Sequence, residues 1–120
     1  MFIATNRFKI NPEQQNAFRE RWLTRETHLE TVPGFVAFHL LEGPSKDDHV
    51  LFVSHTIWQA REDFEAWTRS EQFRAAHAQA AAGQSMALAR PEFEGFSVVQ
   101  ELVMGGAPGF LTSAAATQAA

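Results

Sequence analysis

Residues 2–10 read Phe2-Ile3-Ala4-Thr5-Asn6-Arg7-Phe8-Lys9-Ile10. In an extended chain Phe2, Ala4, Asn6, Phe8 and Ile10 fall on one side, and Ile3, Thr5, Arg7 and Lys9 on the other. This alternation predicts a strand with one buried face. Asn11-Pro12 stops it. Asn11 suits a helix N-cap, and Pro12 suits the first helical position, where a backbone N–H is not needed. Gln14 is placed to reach back to the cap as in a capping box. Phe18, Trp22, Arg25 and Leu29 then recur at helical spacing and predict a helix to about Glu30. Pro33-Gly34 turns the chain.

The apolar run Phe35–Leu41 predicts a second strand, Gly43–Asp48 a polar turn, and Val50–Trp58 a third strand closing a hairpin. Glu62 to about Ala82 is rich in Ala, Glu, Arg and Gln and predicts a second helix. Gly83–Pro91 has weak periodicity and reads as a loop. Phe93–Val103 predicts a last strand, with Phe96, Val98, Gln100 and Leu102 on one side. From Gly105 the chain turns to Gly, Ala, Thr and Ser, a composition expected to stay outside the core and be mobile. The sequence therefore predicts one domain over 1–104 and a tail over 105–120. There is no internal sequence repeat.

The order β-α-β-β-α-β is the ferredoxin-like α+β pattern. Two helices on one face of a four-stranded antiparallel sheet leave the other face bare. Its strands carry apolar residues on both sides, and a bare apolar face of that size marks an interface. The simplest cover is a second copy packed sheet on sheet, a dimeric α+β barrel.

Length and composition narrow the function. The 120 residues fit one domain, and 45% hydrophobic with 20% charged residues is a globular composition. There is no cysteine, which excludes disulfides, thiolate metal sites and thiol nucleophiles, and no tyrosine. A net charge of −4 argues against nucleic acid or an anionic membrane as partner. The opening Met1–Ile10 lacks the pattern of a secretory signal, and no apolar run approaches the roughly 20 residues of a membrane span. A soluble, cytoplasmic protein is expected.

Three residues stand out chemically. Asn6 interrupts an apolar strand face, where an amide must either bond to neighbouring backbone or point into a ligand pocket. His77 follows Phe73 by four residues, about 40° round a helix, among Ala75, Ala76, Ala78, Ala80, Ala81 and Ala82. It is either a structural histidine or a metal ligand beside a lowered wall. Trp67 is about 80° out of phase with His77 on a continuous helix. A break at Ser70, itself a possible N-cap, would bring the two to one cavity; otherwise Trp67 is ordinary core. Arg21 and Arg25 are either a solvated face beside Trp22 and Phe18 or a cationic rim for an anionic ligand. His39 and His55 fall in strands, facing an interface or solvent, and His28 and His49 read as surface residues. The sequence has no paired-histidine zinc motif, no nucleophile elbow, and no phosphate-binding or dinucleotide-binding glycine loop.

Taken together, the segments Asn6-Arg7, Arg21–Arg25, Pro33-Gly34-Phe35, Asp63–Ser70 and Phe73–His77 resemble the heme-degrading monooxygenases of the staphylococcal and mycobacterial type. These belong to the antibiotic biosynthesis monooxygenase superfamily, and the likeness is strongest to relatives from proteobacterial heme-uptake systems. It runs from Phe2 to about Val103. The resemblance implies a homodimer whose subunits each bind heme between the sheet and the second helical region. By position, His77 is implied as the proximal iron ligand and Asn6 as the distal hydrogen-bonding group beside iron-bound oxygen. Trp67 is implied as the residue that buckles the porphyrin, Arg21 and Arg25 as partners of the propionates, and Trp22 and Phe73 as cavity wall. Heme is then substrate and oxygen-activating cofactor at once. It is cleaved at a meso carbon with release of iron, which serves iron acquisition, and the electrons come from an external reductase or reductant. Three other readings remain: a cofactor-free monooxygenase of a quinol-like aromatic, a non-enzymatic heme carrier, and a purely structural dimerisation domain.

Overall fold

The alternating stretch Phe2–Ile10 forms the strand β1, and its pairing sets the sheet. The computed structural model describes residues 1–81 and 86–106, with the side chains of 1–77 and 86–106. Strands β2 (Phe35–Ser45), β3 (Val50–Trp58) and β4 (Glu92–Ser97) complete one sheet in the order β2-β3-β1-β4. All neighbouring strands are antiparallel. The helices are α1 (Gln15–Leu23), α2 (Arg61–Thr68) and α3 (Glu71–Ala81), with 3-10 turns at Pro12–Gln14 and Leu29–Thr31. This is the α+β ferredoxin-like fold, with its second helix in two pieces.

Alternation decides which residues are buried. β1 and β3 pair from Phe2↔Trp58 to Ile10↔Val50, so their even-numbered residues share one face. Two apolar clusters form on that face. Phe2, Ala4, Leu29 and Trp58 make the first, with Phe64 and Trp67 packed against them. Ile10, Phe18, Val50 and Phe52 make the second, with Trp22 and Met86. Trp58 and Ile10 are fully buried; burying side chains of this size gives about 1.5–3 kcal/mol each relative to exposure. Between the clusters, midway along the strands, Asn6 faces Ser54 and interrupts the apolar surface. The opposite face carries Ile3, Leu51, Val53, Ile57, Leu41 and Phe96, the last two each 45% exposed. His39 and His55 pair there across β2 and β3, their ring centroids 5.7 Å apart.

Several elements differ from the sequence expectation. Asn11 caps as expected, accepting from the Glu13 N–H at 3.0 Å, but the turn it caps is 3-10. Gln14 forms no capping box: its Oε1 is buried without a partner, and Gln15 Nε2 donates to the Pro12 carbonyl instead. The first helix ends at Leu23 rather than Glu30. The Thr24 hydroxyl donates to the Glu20 carbonyl at 2.9 Å, a local bond that competes with helix continuation. His28 then takes a left-handed conformation (φ 55°) that redirects the chain into the Leu29–Thr31 turn. Arg25 and Leu29 are therefore off the helix.

β2 runs on to Ser45, through Gly43-Pro44, into the expected turn. Proline is tolerated because β2 is an edge strand and the register shifts between Glu42 and Ser45. β4 stops at Ser97 because its partner β1 begins at Phe2, which pairs with Ser97; one further bond, Val98 N–H to the Met1 carbonyl, closes the ladder. Gln100 and Leu102 thus lie beyond the strand, and Leu102 is exposed. Within the expected loop, Ala87 pairs with Ile10 as an isolated bridge. Residues 83–85, and the tail from 107 onward, lie outside the described residues.

Candidate functional site

The break at Ser70 builds one wall. Its hydroxyl donates to the Trp67 carbonyl at 2.6 Å and accepts from the Phe73 N–H at 3.1 Å. Ser70 therefore ends α2 and caps α3 with the same oxygen. The offset between the two helices lets Trp67, Phe73 and His77 line one cavity despite their phase difference. The Trp67 and Phe73 rings meet edge to face at 4.7 Å and 87°. Trp67 also lies 5.6 Å from Trp58, so it is at once core and cavity wall.

Helix α3 fixes the His77 ring. It lies 3.8 Å from the Phe73 ring, and its Nδ1 is 2.9 Å from the Phe73 carbonyl oxygen. A carbonyl only accepts, so Nδ1 carries a proton, and in the neutral ring the lone pair is then on Nε2. Ala76 beside it is buried and Ala75 exposed; the side chains of Ala78, Ala80 and Ala81, and all of Ala82, are outside the described residues.

The sheet supplies the facing wall. Asn6 lines the cavity between Ser54 on β3 and Phe93 on β4. Among the described residues its amide makes no hydrogen bond. Ser54 is only 8% exposed, and among the described residues its hydroxyl makes no hydrogen bond either. Thr56, by contrast, is satisfied: it accepts from Trp58 Nε1 at 2.9 Å and donates to the Ala4 carbonyl at 3.3 Å.

The third wall carries charge. Trp22 stacks on Phe38 (5.6 Å, 13°), and the Arg25 guanidinium lies 4.5 Å over the Trp22 ring. Arg25 Nε is buried without a hydrogen-bond partner, and burial lowers the Arg25 pKa from its ordinary value. Arginine nevertheless stays charged at neutral pH. Arg21 and Arg90 also line the cavity, and no Asp or Glu does among the described residues.

The cavity holds about 910 Å³, at the upper end of the 300–1,000 Å³ typical of small-molecule sites. All seven residues singled out in the sequence line it: Asn6, Arg21, Trp22, Arg25, Trp67, Phe73 and His77. Ser54, Thr27, Phe38, Met86 and Arg90 also line it without having been singled out. Ser54 had a legible signal, a hydroxyl interrupting an apolar strand face as Asn6 does. His39 and His55 lie on the opposite face of the sheet, away from the cavity. Among the described residues no cluster of three or more His, Asp or Glu is placed to hold a metal, and no helix is long and apolar enough to cross a membrane.

Comparison with known proteins agrees with this geometry. Residues 1–79 match the family model for antibiotic biosynthesis monooxygenases. A heme-degrading monooxygenase of Bacillus thuringiensis (strain Al Hakam) is 35% identical over 77 residues, covering 64% of this chain and 71% of that protein. The heme-degrader MhuD of Mycobacterium tuberculosis, solved with two hemes in its active site, is 26% identical; the match covers 86% of this chain and 100% of that one, with a TM-score of 0.64. SnoaB of Streptomyces nogalater, a cofactor-independent oxygenase, shares the fold at 21% identity and a TM-score of 0.58, covering 84% of this chain and 95% of that one. The chain belongs to the antibiotic biosynthesis monooxygenase family and is an oxygenase.

Proposed function

We propose that this protein is a cytoplasmic, homodimeric heme-degrading monooxygenase that cleaves heme at a meso carbon and releases iron and a bilin, using electrons from an external donor. The observation that carries this reading is the pairing of a free imidazole nitrogen on α3 with an unpartnered amide on β1, both lining one aromatic cavity. The residues fit heme. An apolar cavity flanked by aromatic rings suits the macrocycle, and the guanidinium groups that line it suit two propionates. The likeness to the Bacillus enzyme and to MhuD supports the same substrate. Heme, when bound, supplies the iron that activates oxygen and the carbon that is attacked.

The chain's own contribution follows from its geometry. His77 holds the iron through Nε2, and the Phe73 carbonyl fixes the tautomer and keeps the ring from turning. Asn6 offers an amide donor on the sheet side, which would face the heme without delivering a strong acid. Trp67 packs against Trp58 and Phe73, and its rigid indole would press on the macrocycle. Arg21 and Arg25 hold the carboxylates, and Trp22 and Phe73 exclude water. Residues 1–104 carry the activity, and 105–120 do not contribute to it. The uncovered apolar sheet face supports the dimer.

A hemin titration tests the binding half of this reading. The protein should saturate with a Soret band characteristic of one histidine ligand. No hemin binding would favour a cofactor-free oxygenase acting on a quinol-like aromatic in the same cavity.

A further inference from the structure

Met86 lies where an oxygenase meets its own oxidant. It lines the cavity and packs against the cluster formed by Ile10, Phe18, Val50 and Phe52. Its position is pinned: its carbonyl accepts from the Asn11 N–H at 3.0 Å, and Leu88 N–H donates to the Lys9 carbonyl at 2.8 Å. A sphere of the cavity's volume is about 12 Å across, so the sulfur is within one cavity width of anything formed inside. The other two methionines are elsewhere. Neither Met1 nor Met104 lines the cavity, and Met104 is fully exposed. Accessibility therefore ranks Met104 ahead of Met86 for an oxidant arriving from solution. The ranking reverses for an oxidant born in the cavity.

We propose that Met86 is the site of self-oxidation, and that its oxidation ends the enzyme's working life. The inference rests on the oxygenase reading of the same cavity. The oxidant is hydrogen peroxide, formed when oxygen takes two electrons from the external donor and two protons without attacking the substrate. The thioether sulfur gives up an electron pair, the O–O bond breaks, one oxygen forms the S–O bond, and the other leaves as water. The sulfoxide is polar and adaptable side-chain packing is lost. Its oxygen then stands against an apolar cluster whose side chains offer no donor, and the wall behind the cavity loosens.

The experiment uses hemin-loaded protein turning over with ascorbate in air, with catalase in the bulk, followed by peptide mass mapping of all three methionines. Met86 sulfoxide should rise in step with heme consumed and exceed Met104 sulfoxide. In hemin-free protein given hydrogen peroxide from solution, the ratio should fall below one. Met86→Leu, which keeps the volume, should lose a smaller fraction of its own starting rate per turnover. Methionine sulfoxide reductase should restore rate to the spent wild-type enzyme. Heme consumed with Met86 unmodified, or with Met104 oxidised first, overturns this proposal alone. Absence of a Soret band overturns the heme reading and self-oxidation together.

Discussion

The Nδ1 of His77 lies 2.9 Å from the carbonyl oxygen of Phe73, one turn earlier on α3. This contact sets the tautomer that leaves Nε2 free for a ligand. His77→Ala should leave hemin held only by apolar contacts and propionates. Losing a group that merely orients a ligand costs about 10–100-fold in metal affinity, so losing the ligand itself should cost at least that. Absorbance spectra should show a displaced Soret band. An unchanged band in the variant would mean that another residue holds the iron.

Trp67 belongs both to the core around Trp58 and to the cavity wall. Trp67→Phe should keep most of the packing, costing less than the roughly 3–5 kcal/mol of truncation to alanine. If the indole distorts the porphyrin, the variant folds and binds hemin but degrades it more slowly or to a different product. Melting temperature and single-turnover rate, measured on one sample, separate the two roles. A large stability loss at unchanged rate and product would leave Trp67 as core alone.

Arg25 is a half-buried cation whose Nε has no partner. Hydrogen bonds to charged groups contribute about 1.5–3 kcal/mol, so Arg25→Ala should weaken hemin binding by roughly 10- to 150-fold. The same variant should bind hemin dimethyl ester about as well as wild type does. Equal losses for acid and ester would show that Arg25 acts through packing on Trp22 instead.

The face bearing Ile3, Leu51, Val53 and Ile57 should be covered by a second copy. Sedimentation equilibrium should give a dimer at micromolar concentration, and Val53→Glu should shift it to monomer. A monodisperse wild-type monomer would contradict this.

Much of this architecture is legible in local sequence. The alternation in Phe2–Ile10 gave that strand with its observed bounds, because a half-buried strand writes its period into its residues, and the third strand falls on the expected Val50–Trp58. The phase mismatch between Trp67 and His77 leaves two readings open, a break at Ser70 or Trp67 as ordinary core; the structure has the break, with Trp67 in both core and cavity wall. What local pattern missed was set by partners. β4 ends where its antiparallel partner β1 begins, at Phe2, a limit that 93–103 does not encode. β2 continues through Pro44 only because no strand lies outside it. Arg25 reaches the cavity from beyond the end of α1 at Leu23, although its spacing from Arg21 suggested a shared helix face. Ser54 and Arg90 come to the site through strand register and chain return, which no single segment records.

The claim that the protein consumes heme, using Asn6 to direct oxygen, is tested most directly by single-turnover absorbance of the hemin complex after reductant is added in air, for wild type and Asn6→Ala together. Wild type should lose its Soret band as bilin absorbance rises. Asn6→Ala should start from the same bound complex and react about 10²–10³-fold more slowly, the cost of one preorganised donor. A wild-type Soret band that is reduced and reoxidised without loss would make the protein a heme carrier, and equal rates in the two proteins would make the Asn6 amide structural.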